Sequence, residues 1–247
     1  MGNVKTVEKV VEFVQSETKS KTFRLDYPVS EELREVMVNE VFSDFMTFAL
    51  ELYFDDCLPV FKEYVEGHNS RQEKQQELLQ NLFWWKIFYD SSINRRENCI
   101  EEYIAENYHW LCKRPMIKSW LRECAKAVPK FYFVGHKYND RELVMIDIME
   151  EETLDVIVYD PQAIPPIKGE IVMGTLIPLG GGLHFPIIDF YHFDFEAREA
   201  IANCLHHYYE KYLKNSTMHE AFIHVLSAML QIESLIRIEK QTNTTSC

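Results

Sequence analysis

The sequence predicts an α+β protein. Helical periodicity fills residues 1–127, β-branched and aromatic runs separated by turn signals fill 128–190, and helical periodicity returns over 191–247. This order predicts a helical N-terminal region, a small antiparallel β-module, and two C-terminal helices that pack back on the first region.

The first elements follow from apolar spacing. Val7, Val10, Val11 and Val14 suit one face of a short helix, and 16–21 reads as a polar loop. Ser30 before Glu31 and Glu32 is a helix start, because its hydroxyl can accept an orphan N–H and the acids suit the positive helix end. Leu33, Met37, Val41, Phe45, Phe48 and Leu52 continue at steps of three and four. Pro59 predicts a kink or a new helix start, and Gly67 a stop. Residues 70–90 predict a helix that is polar first and buried later, ending in LLQNLFWWKIFYD. Two more helical patterns meet at Pro115, making about five helices in this region.

The strands KFYFVGHKY, ELVMIDIME, TLDVIVYD and EIVMGTLIPL follow. Four or five strands at this spacing are too few for a sandwich, so an SH3- or OB-like barrel or a curled sheet is expected, which removes exposed edges. Three glycines, Gly180 to Gly182, precede Leu183-His184-Phe185-Pro186. A phosphate loop would need a following Lys and Ser or Thr, and a dinucleotide loop would open a helix. Neither is present, so the glycines are expected to turn one strand into the next by adopting positive φ. Asp194 and Ser216 are the expected caps of the last two helices, and QTNTTSC is expected to fray.

Composition narrows the function. The 247 residues are 47% hydrophobic and 13% aromatic, with a formal net charge of −13. That negative potential disfavours nucleic acid. No window looks like a signal peptide or a membrane helix, so a cytoplasmic protein without a membrane partner is expected. Met1 to Thr6 fits a short myristoylation pattern that chance supplies often. Six scattered cysteines form no CxxC pair and read as reduced thiols.

Chemistry-bearing clusters are few. His184, Asp189 and His192 are the candidate catalytic residues, since His/Asp mixtures can move protons or hold a metal. His219 and His224 imitate a zinc-helix motif one residue too long, so their side chains diverge by about 140°. Trp84 and Trp85 are candidate partner-binding residues within an aromatic helix. No cofactor-binding motif or metal-ligand set is found.

Leu82-Phe83-Trp84-Trp85 and residues 168–190, within a span of 78–212, resemble bacterial proteins that often carry a C-terminal SEC-C metal-binding motif. The resemblance implies helices joined to a small β-module with a Gly-Gly hairpin. It does not imply zinc, because the C-terminus offers only Cys247. The leading expectation is a non-enzymatic regulatory protein that binds another protein or a second copy of itself. The alternatives are a metal-dependent hydrolase using His184, Asp189 and His192, and an acidic mimic of nucleic acid.

Overall fold

The computed structural model describes residues 14–16, 21–68, 71–94 and 96–245. The expected helix over Val7 to Val14 and the pattern at Met1 to Thr6 lie outside those residues, apart from Val14.

One long helix opens the fold: α1 (Glu31–Glu35), a π-helical stretch (Val36–Phe42) and α2 (Ser43–Gly67) run on without a break. Ser30 Oγ accepts the Leu33 N–H at 3.4 Å, and Glu31 and Glu32 occupy the first turn. In the π stretch Met37, Val38, Val41 and Phe42 are all buried. Pro59 breaks nothing. It lies inside α2, and both it and Asp55, whose carbonyl it leaves without a donor, are exposed to water. Helices α3 (Gln72–Ile93), α4 (Cys99–Glu106), α5 (Tyr108–Leu111) and α6 (Pro115–Cys124) complete the region. Pro115 starts α6 where a missing N–H costs nothing.

The sheet has seven strands: β1 (Lys130–Lys137), β2 (Glu142–Asp147), β3 (Thr153–Ile157), β4 (Ile171–Gly174), β5 (Leu176–Gly180), β6 (Leu183–Pro186) and β7 (Tyr191–His192). Their order is β5-β6-β3-β2-β1-β4-β7. The expected all-antiparallel pairing needs one correction, since β3 and β6 run parallel, through Asp155↔Leu183 and Val156↔His184. The cause is a strand that changes sheet edge. β4 pairs with β1, β5 pairs with β6, and only Thr175 separates β4 from β5. The sheet therefore curls back on itself as a partly open barrel.

Strand alternation divides the side chains. Tyr132, Val134, Leu143, Met145, Val156, Val172 and Leu176 fill the barrel. Phe131, Ile171, Met173, Ile177 and Leu179 point the other way, into a core shared with the helices. Trp84, Phe88, Trp120 and Phe222 belong to that shared core. After a 3-10 turn (Phe195–Ala197), α7 (Arg198–Tyr212) and α8 (Met218–Thr245) pack back as expected. By length and composition α8 could cross a membrane, with mean hydropathy 1.4 over its apolar window. In this fold its Phe222, Val225, Leu226 and Met229 are buried against the protein.

Three local expectations are corrected. Asp194 makes no side-chain cap, because Lys74 and Arg71 hold its carboxylate. Thr217, not Ser216, caps α8: its hydroxyl faces the Glu220 N–H while the Glu220 carboxylate accepts the Thr217 N–H. The tail QTNTTSC continues α8 as far as Thr245, and residues 246–247 lie outside those described.

Gly180, Gly181 and Gly182 join β5 to β6 with φ of +85°, +65° and +83°. The Gly181 N–H donates to the Leu25 carbonyl at 2.8 Å. A strap of residues 21–30 lies against this turn. Buried Gln15 ties the strap down through the Arg24 and Tyr27 carbonyls, each at 2.7 Å.

Candidate functional site

A cavity of about 500 Å³ opens at the barrel mouth, where β1, β2, β5 and β6 meet the strap, the end of α6 and the start of α8. Its apolar wall includes Leu25, Leu154, Leu176, Pro178 and Met218. Its ionic wall carries four carboxylates, Glu123, Asp147, Glu150 and Glu152, against two ammonium groups, Lys126 and Lys130.

Asp147 organises this wall from an almost fully buried position. One oxygen accepts the Met149 and Glu150 N–H groups at 2.9 and 3.2 Å, which shapes the turn before β3. The other accepts Lys130 Nζ at 2.6 Å, and Lys130 also reaches Glu150 at 2.6 Å. The two carboxylates hold the Lys130 ammonium above its ordinary value despite the burial that opposes it.

Tyr132 stands directly opposite Asp147 in the β1–β2 register. Its side chain is buried, and it lines the cavity. Burial pushes its phenol well up, with Asp147 adding to the effect, so it stays a neutral donor and acceptor. His184 lines the same cavity. Burial pushes its imidazole down, so the ring is neutral near pH 7. Its Nδ1 lies 3.0 Å from the Gly182 carbonyl, which makes Nδ1 the donor and leaves Nε2 as an acceptor.

The other two candidates are elsewhere. His192 Nδ1 sits 3.0 Å from Glu170 Oε1 on the β4–β7 side. Asp189 and Glu77 of α3 join it there, and burial raises both carboxyls. Asn81 of α3 fixes this segment by donating to the Asp189 carbonyl at 3.0 Å. Glu77 Oε2, Asp189 Oδ1 and His192 Nε2 are buried without partners among the described residues. Among the described residues no three His, Cys, Asp or Glu side chains converge in a metal-holding group. The fold therefore separates His184 from Asp189 and His192.

Neither tryptophan offers an open platform. Trp84 is in the core and cannot touch a partner directly. Trp85 is half-buried, stacks on Tyr89, and donates its indole N–H to the His219 carbonyl at 2.8 Å. His219 and His224 diverge as the spacing predicts: His219 contacts the Ala127 carbonyl, while His224 stacks on Tyr212. Burial pushes the Cys99 thiol up to about 12 and Cys124 higher than its usual range, so neither is a thiolate at neutral pH.

Sequence reading missed Lys130, Tyr132 and Asp147. The only signal was polar residues at strand positions, and that signal does not say which end of a barrel they reach. Comparison with protein-family models, curated proteins and solved structures gives no match, so none links the chain with the SEC-C-associated proteins.

Proposed function

We propose that this chain is a cytosolic, non-enzymatic binding protein that acts on another protein, and that the barrel mouth takes a basic, partly apolar segment of that partner. One observation carries the reading: an excess of carboxylates surrounds an apolar floor and the buried side chain of Tyr132 at the barrel mouth. A partner ammonium group has three N–H donors. Tyr132, His184 Nε2 and the Glu150–Glu152 edge supply acceptors for them. The partner's methylene stem would cover Leu154 and Leu176. The net charge of −13 favours encounter with a basic segment. Free thiols at Cys57, Cys99, Cys112, Cys124 and Cys204 suit a reducing compartment. The separation of His184 from Asp189 and His192 weighs against a three-residue hydrolase.

Calorimetric titration tests this reading. A short peptide alternating Lys and Leu should bind, and its Glu–Leu counterpart should not. Equal binding of both peptides, or hydrolytic turnover that disappears in His192→Ala, would overturn it.

A further inference from the structure

A second and larger cavity, about 860 Å³, lies behind the first, between the ends of α3 and α6 and the starts of α4 and α8. Its charge is opposite. Arg96, Arg122 and Lys126 face it against a single carboxylate, Glu101, in a chain that is otherwise strongly acidic. Three cations less one anion leave +2.

Glu101 is already engaged. It accepts Arg122 Nε at 2.6 Å and Nη2 at 2.8 Å. A guanidinium has five N–H donors, so Arg122 keeps three. The Arg96 guanidinium has no partner among the described residues. Lys126 pairs with Glu123 at 2.6 Å, but its side chain is 70% exposed and the pair is weak enough to yield. The cavity is in the size range of small-molecule sites.

His219 adds an acceptor to this wall. It is 5% exposed, and its Nε2 donates to the Ala127 carbonyl at 3.3 Å. Burial pushes its imidazole down, so the ring is neutral and Nδ1 carries a lone pair with no hydrogen-bond donor among the described residues.

We infer that this cavity binds a small phosphate monoester bearing hydroxyl groups. The dianion meets the two guanidinium groups and Lys126, and a hydroxyl donates to His219 Nδ1. Planar guanidinium forks match phosphate oxygens, and a charge of −2 matches the surplus of the wall. The inference is independent of the barrel-mouth reading, because the two cavities share only Lys126 among their charged residues.

Calorimetry on the full chain tests it with glycerol 3-phosphate, glycerol, inorganic phosphate and succinate. Glycerol 3-phosphate should bind most tightly. Arg96→Ala, at an exposed position, should weaken it roughly tenfold or more while the chain stays folded. His219→Phe should cost affinity for glycerol 3-phosphate but not for inorganic phosphate. No heat with glycerol 3-phosphate, unchanged affinity in Arg96→Ala, or equal affinity for inorganic phosphate or succinate would each overturn the inference. Because Lys–Leu peptide binding is measured at the other cavity, failure here leaves that result standing.

Discussion

His219 Nε2 donates to the Ala127 carbonyl at 3.3 Å, and this contact is the partition between the two cavities. Ala127 and Met218 face the barrel mouth, while His219 faces the larger cavity behind it. The hydrogen bond therefore joins the chain just after α6 to the start of α8.

Burial depresses the His219 pKa in the folded chain. An unfolded histidine titrates at about 6.5. Below that value the unfolded chain takes up a proton that the folded chain refuses, so stability falls as pH falls through and below it. Chemical denaturation from pH 7.5 to 5 should show a shallower decline in His219→Gln than in the unsubstituted chain.

Glu77 gives the opposite slope. Burial raises its pKa, with Asp189 adding to it and His192 and Lys74 opposing it. The folded chain holds the proton to a higher pH than the unfolded chain does. This contribution is present in acid and is lost as pH rises from about 4.3 through the raised value. Glu77→Gln should therefore gain stability relative to the parent between pH 5 and 7.

The glycine turn makes a graded prediction. A Cβ at Gly180 would sit 2.4 Å from the Tyr27 carbonyl oxygen, whereas at Gly182 it meets nothing within 4 Å. Both positions have positive φ. Gly182→Ala should cost about 1 kcal/mol, from backbone strain alone. Gly180→Ala should cost about 2–4 kcal/mol, because the strap must also move. Equal urea midpoints for the two variants would contradict the packing of residues 21–30 on this turn.

Lys74 is the keystone of a buried network. It bridges Asp194 at 2.8 Å and Glu233 at 2.7 Å, while Glu233 also accepts the Tyr191 hydroxyl at 2.7 Å. Lys74→Met takes the ammonium from buried Glu233, while Asp194 keeps Arg71, and should cost about 3–5 kcal/mol. Arg71 contacts Asp194 from an exposed position, so Arg71→Met should cost less than about 1 kcal/mol. Thermal melts of the two variants measure the difference.

Much of the fold was legible because apolar period and turn residues are local. The Ser30 start, the stop at Gly67, Pro115 at the head of α6 and the Gly180–Gly182 hairpin follow from one to a few residues each. The parallel β3–β6 pair was not legible, because it depends on a bend at Thr175 that sends one strand to two partners. Asp194 resembled a helix cap because nothing in its neighbourhood mentions Lys74, 120 residues away. The candidate site was legible in one residue, His184. Its companions Lys130, Tyr132 and Asp147 come from other strands, and only barrel closure brings them to the same mouth.

The central claim is that carboxylates at the barrel mouth select a basic partner segment. The direct measurement is the calorimetric affinity of the Lys–Leu peptide for the parent chain and for Glu150→Lys/Glu152→Lys. Binding by the parent, its loss in the double variant, and new binding of the Glu–Leu peptide by that variant are the predicted result. An affinity that ignores the reversal, with both proteins folded, would contradict it.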